Sequence, residues 1–245
     1  MVFNQINQNV QNAATRCSPR TTRPPSPFPP YFLSYFLPDF QTIQYQYVSN
    51  GTNYQGLMGN KMEVILLPGA YLQSGTAPGN NQLEPITQFL RSSYPQHNFI
   101  KGHMWNQEIG GKGITKNLVP LTQLANSAHN AHSEQPLKDA LLNFSNFYAG
   151  NPPDHPDFKK VYGFKYVVEI EGNGNGGFQA WGGVQEPIVP NSIHVQLFPL
   201  ICDTMGNYSL DNSIINTAIN STTLPFIQRL SGGIWIDQAG TVTDA

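Results

Sequence analysis

Charge is the first thing this sequence lacks. Asp, Glu, Lys and Arg make up 11% of 245 residues, where about 25% is usual for a soluble domain. Net charge is −2, so neither a strongly basic nor a strongly acidic partner surface is built in. Cysteine is also scarce. Cys17 and Cys202 supply no disulfide framework and match no zinc-ligand spacing. Long apolar runs are absent as well. The most aromatic stretch, YFLSYFLPDF at 31–40, is interrupted by Pro38 and falls far short of the roughly 20 residues a membrane span needs. The first 17 residues have no continuous apolar core, which argues against an ordinary secretory signal peptide.

What is present in quantity is neutral polarity and turn chemistry: 22 glycines, 20 prolines and many Asn, Gln, Ser and Thr. Such a composition favours a β- and loop-rich surface. Hydrophobic residues reach 39% over 245 residues, enough for one domain with a sizeable core. Residues 1–40 read as a proline- and aromatic-rich tail or docking segment, because SPRTTRPPSPFPP at 18–30 favours extended polyproline conformations. That leaves 41–245 as the folded domain.

Strand signals open it. Residues 41–49 alternate with period two, placing Ile43, Tyr45 and Tyr47 on one face. Asn50-Gly51 is a hairpin turn signal, and Met62–Leu67 reads as a buried strand. A short helix is expected from Pro85 to about Ser92, since proline suits a first helical turn. Thr122 is placed to cap a helix running from Gln123 to about His132, with Pro136 breaking or kinking it before a second helix over 137–147. Strands are expected at 161–172, 178–184, 192–202 and 233–237, with a helix near 212–220 and a loose C-terminal end.

The chemistry concentrates in residues 98–134. His103 follows Lys101-Gly102, and a histidine is the side chain best suited to take a proton near neutral pH. Gly110, Gly111 and Gly113 allow a tight crossing of the chain before Asn117-Leu118-Val119-Pro120. Asn126, Asn130 and Glu134 then recur at i, i+4 and i+8 on a helix, roughly on one face. Amide and carboxylate oxygens are hard ligands suited to Mg²⁺. A base, a glycine turn and a hard-cation site together suggest phosphodiester chemistry.

This segment resembles the DNA/RNA non-specific endonucleases of the His-Me finger (ββα-metal) superfamily. Their motif has Asp-Arg-Gly-His on a strand, Asn-Ile/Met-x-Pro, an Asn opening a helix and a Glu farther along it. Lys101-Gly102-His103 stands at the Arg-Gly-His, and Asn117 to Pro120 at the second element. Asn117 and Asn126 keep the family spacing, as do Asn126 and Glu134. The resemblance covers about a fifth of the chain and is closer to variants in bacterial toxins and effectors. It implies an α+β fold with a ββα-metal core on a small antiparallel sheet and flanking helices.

It further implies a metal-dependent endonuclease acting on DNA or RNA with Mg²⁺ or Mn²⁺. His103 would activate water, Asn117 would brace its loop, and Lys101 would face the phosphate. Asn126 would bind the cation directly and Glu134 would hold the cation's water shell. Implied partners are a nucleic acid substrate, a specialised delivery apparatus and an immunity protein, with no membrane span. The sequence departs from the pattern at Ile100, in place of Asp, and at Lys101, in place of Arg, which loses the bidentate fork. Asn130 stands where the family has an aromatic residue. Residues 39–245 carry −5 once the +3 of Arg16, Arg20 and Arg23 is taken from −2. These departures motivate an alternative: a scaffold of the same fold kept for binding or assembly. His129 and His132 carry no third ligand at zinc spacing and read as partly exposed helix residues.

Overall fold

The turn at Asn50-Gly51 starts the architecture. Both residues have positive φ, 50° and 74°, the conformation a two-residue hairpin needs and that Asn-Gly adopts at low cost. It joins β1 (Asp39–Ser49) to β2 (Thr52–Leu66), with Ser49 opposite Thr52. The strand expected from Met62 therefore extends ten residues further back. Gly56 and Gly59 weaken the strand signal there, yet Gly56 is where the Tyr45 ring lies, and a Cβ would overlap its hydroxyl.

The computed structural model describes residues 38–72, 74–149, 160–174, 189–203, 207–211 and 219–245. Of the tail expected over 1–40, residues 1–37 lie outside the described residues, as do the strand expected at 178–184 and most of the helix expected at 212–220, whereas Asp39 and Phe40 belong to β1. After β2 come α1 (Glu84–Ser93), β3 (Phe99–His103) and β4 (Leu118–Thr122). Next is a helical run made of α2 (Gln123–His129), a π-helical turn (Asn130–Glu134) and α3 (Gln135–Ala149). Then follow β5 (Lys160–Gly174), β6 (Val189–Asp203), β7 (Tyr208–Leu210), α4 (Leu224–Gly232), β8 (Ile234–Asp237) and β9 (Val242–Asp244).

The fold is mixed α+β and its sheets are antiparallel. The larger sheet has the order β1-β2-β5-β6-β8-β9 with β7 also on β6, seven strands among the described residues, so it is not small. The C-terminal end is an edge strand rather than loose: β9 pairs with β8, and Ala245 N–H donates to Gly233. Alternation makes the core. Met62, Val64 and Leu66 of β2 and Phe164, Tyr166 and Val168 of β5 are buried on one face, under Leu137, Leu141 and Phe144 of α3. Phe144 stacks on Phe164 with ring centroids 5.1 Å apart. Burial of this apolar surface is the main stabilising term.

Pro136 does not break the helix. It lies at the start of α3, just past the π turn. Proline cannot donate to the carbonyl four residues back and its ring crowds that carbonyl. The wider π turn relieves the conflict: Gln135 N–H bonds to Asn130, five residues back. No helix among the described residues is long and apolar enough to cross a membrane.

Candidate functional site

β3 and β4 form their own two-stranded antiparallel sheet, with Gly102 opposite Val119 and His103 opposite Leu118. The connection between them is held by Asn117, which is fully buried. Its Oδ1 accepts from Trp105 N–H at 2.8 Å, and its amide donates to the carbonyls of Trp105 and Lys112, each at 2.9 Å. A second loop crosses this one. Thr76 N–H donates to the Gly111 carbonyl at 3.1 Å, and Gly113 N–H donates to Thr76 Oγ1 at 3.0 Å. A Cβ on Gly75 would overlap the Gly111 carbonyl across the crossing, and one on Gly111 would overlap the Trp105 carbonyl within its own connection, so both positions require glycine.

The crossing fixes His103 at the end of β3. Its Nε2 lies 3.1 Å from the Thr76 carbonyl oxygen. A carbonyl only accepts, so Nε2 carries the hydrogen and Nδ1 keeps its lone pair. Burial pushes the His103 pKa down, and the Thr76 bond partly opposes the shift. The ring is therefore a neutral imidazole at physiological pH.

From the other side the helix contributes Asn126, Asn130 and Glu134. Thr122 caps it as expected, accepting from Ala125 N–H at 3.0 Å. Residues eight apart on an α-helix are rotated by about 80°, and one extra residue in a π turn cuts that to roughly 20°. The π turn over 130–134 thus carries Glu134 onto the Asn126 face. His103, Asn126, Asn130 and Glu134 line one open cleft of about 260 Å³, together with Lys101 and Asn106.

Glu134 is 5% exposed. Burial pushes its carboxyl up to about 7, against the pull of the Asn106 amide, which donates to Oε2 at 2.7 Å. Its Oε1 lies 3.7 Å from Nδ1 of His129. The expectation of a partly exposed His129 is overturned: the residue is buried, with its ring against the Tyr166 hydroxyl of β5. Its Nε2 is 2.8 Å from the Tyr166 hydroxyl. Burial, then the charge of Lys138, holds His129 down at about 3, so its ring is uncharged. Nδ1 finds no hydrogen-bond partner.

Lys101 does not stand free in the cleft. Its ammonium pairs with Glu84 at the start of α1 and also donates to the carbonyls of Gly79 and Asn80, at 3.2 and 3.0 Å. At the rim Lys138 pairs with Glu108. The sequence places Asn130 on the Asn126–Glu134 face without a role of its own, and it gives Asn106 no place in the site. Asn106 had one usable signal: an Asn before a short helical turn, whose Oδ1 here accepts from Glu108 N–H at 2.7 Å. Its reach to Glu134 had none. No group of three or more His, Cys, Asp or Glu residues is placed to hold a metal among the described residues. The oxygen donors lining the cleft are side-chain amides and two carboxylates, Glu134 inside it and Glu108 at the rim, where it is paired with Lys138. The chain matches no protein-family model, no curated protein and no solved structure.

Proposed function

We propose that the chain is a metal-dependent, sequence-tolerant endonuclease hydrolysing DNA or RNA phosphodiester bonds in the cleft around His103. The observation that carries this reading is that His103, Asn126 and Glu134 line one cleft, with the His103 ring oriented by the Thr76 carbonyl. The β3–β4 hairpin, its glycine-rich connection and the helix after it are the parts a ββα-metal core would use.

In this mechanism His103 Nδ1 takes a proton from water, and the resulting hydroxide attacks phosphorus in line. The Thr76 carbonyl holds the tautomer in which Nδ1 is the acceptor. Asn117 holds the loop that follows His103. Asn126 and Asn130 offer amide oxygens to Mg²⁺ or Mn²⁺, and Glu134 offers carboxylate oxygens behind them. A buried carboxylate raised to about 7, with a neutral amide on one oxygen, fits a nearby cation that neutralises it. When bound, the cation supplies charge neutralisation at the phosphate and the leaving 3′ oxygen. The toxin or effector role, with a delivery apparatus and an immunity protein, rests on the sequence resemblance.

The test is incubation with supercoiled plasmid and, separately, structured RNA, in Mg²⁺ or in EDTA, beside His103→Ala. Metal-dependent cleavage by the wild type alone is expected. Equal cleavage by the variant would remove His103 from the mechanism. A second reading, a binding or assembly scaffold, is favoured by one observation: Glu84 already neutralises the Lys101 ammonium. No cleavage of either substrate across several divalent metals at low salt would select it.

A further inference from the structure

The β1–β2 hairpin builds an aromatic row beside the cleft. Tyr47 and Tyr54 face each other across the two strands. Their rings stack with centroids 5.0 Å apart and planes 8° from parallel. On the other side Tyr47 stacks on Phe89 of α1, at 4.3 Å and 26°. Tyr47 is 3% exposed, whereas Tyr54 is 39% exposed. Hydrophobic packing fixes the inner rings, and the row ends in a ring open to solvent.

Tyr47 and Tyr54 line two hollows, of about 630 and about 460 Å³. The wall of the larger is neutral and polar, with Ser49, Asn50, Gln88 and Ser93 among its residues, and its one charged residue is Glu84. That carboxylate is the partner of Lys101, which lines the His103 cleft. One ion pair therefore separates the aromatic hollow from the candidate site.

A flat π-system with hydrogen-bonding edges suits a preordered aromatic row rimmed by amides and hydroxyls. Nucleobases have both features, and stacking on them is tolerant of sequence. A chain of net charge −2 gains little general attraction for phosphates, so stacking supplies affinity that charge does not. We infer that this hollow is a stacking subsite for an unpaired nucleobase of single-stranded nucleic acid, seated on Tyr54 beside the His103 cleft. The choice of ligand rests on the nuclease reading. A base paired within a duplex keeps its faces covered, so the subsite selects single strands.

The test is fluorescence anisotropy of the full chain, in EDTA, with a labelled oligothymidylate of about ten nucleotides. An abasic oligomer and a duplex of the same length are the controls. Tyr54→Ala is expected to weaken oligothymidylate binding by about ten-fold or more, while Tyr54→Phe keeps it. Thermal melts show whether Tyr54→Ala remains folded; Tyr54→Trp, which enlarges the stacking face, is expected to bind at least as tightly as wild type. The inference is overturned if a folded Tyr54→Ala binds as wild type, if the abasic oligomer binds equally, or if only a neutral oligosaccharide binds. The two readings fail separately. Tyr54-dependent binding without metal-dependent cleavage removes the nuclease and leaves the subsite. Cleavage with Tyr54-independent binding does the reverse.

Discussion

Asn106 and Glu134 stand 28 residues apart in the chain, and the Asn106 amide donates to Glu134 Oε2 over 2.7 Å. This bond ties the loop after β3 to the π turn in the helix, the two walls of the candidate cleft. Asn106→Leu leaves a buried carboxylate oxygen without its donor and is expected to cost about 1–3 kcal/mol. Urea unfolding measures it. In a Glu134→Gln background the same substitution should cost less, and full additivity would show that the two residues are not coupled.

The pH dependence of stability in EDTA reports on Glu134. Its folded pKa, about 7, lies above the ordinary 4.5. The stabilising contribution is therefore complete below about pH 4.5 and lost as pH rises through about 7. His129, held down at about 3 from 6.5, runs the other way: its contribution is present above 6.5 and lost as pH falls through about 3. Between about 6.5 and 7 the Glu134 slope acts without the opposing slope of His129, and above about 7 it ends. Glu134→Gln still accepts from Asn106 and carries no charge. It is expected to stabilise the protein by on the order of 2–3 kcal/mol at about pH 8, with the gain vanishing toward pH 4.5. A pH-independent gain would contradict this account.

Asn117 makes three hydrogen bonds from a fully buried position. Asn117→Ala is expected to destabilise by about 2–4 kcal/mol. Asn117→Asp, nearly isosteric, should fare no better, because a carboxylate cannot donate to the Trp105 and Lys112 carbonyls. Calorimetric melting of both variants checks this. An Asp variant as stable as wild type would show that shape alone holds the loop.

Two glycines should respond in opposite directions. Gly111→Ala forces a Cβ into the Trp105 carbonyl, which is backbone and cannot swing away, so a loss above about 2 kcal/mol is expected. Gly232, in the last turn of α4, has open space around its Cβ position. Gly232→Ala is expected to gain about 0.5–1 kcal/mol from backbone entropy and helix propensity. Chemical denaturation of the pair decides both.

On the proposed chemistry, the Lys101–Glu84 pair costs the cleft a free cation. Glu84→Gln should raise plasmid cleavage at low salt, with the gain fading as ionic strength rises and screens the ammonium. Unchanged cleavage would remove Lys101 from phosphate contact.

Local rules carried well where local physics decides. Asn50-Gly51 announced its hairpin, Pro85 its helix start and Thr122 its cap, because each depends on a few adjacent φ/ψ angles or one nearby bond. Period-two alternation marked β1 because Tyr45 and Tyr47 share its buried face. The same rules failed for the first half of β2, where glycines make room for the Tyr45 ring, and for α4 and β9. Those two elements form because a sheet edge and a helix face await them.

The sequence by itself determined that His103, Asn117, Asn126 and Glu134 stand at their spacings, that glycines surround them, and that the chain folds as α+β with little charge. Tertiary structure alone decided how those residues meet. It turned Glu134 toward Asn126 through a π turn, gave Glu134 to Asn106, gave His103 to Thr76 and Lys101 to Glu84, and buried His129 against Tyr166. The reason is physical: propensities and caps act over a few residues, while the protonation, orientation and pairing of a side chain depend on burial and on partners that packing brings from elsewhere in the chain.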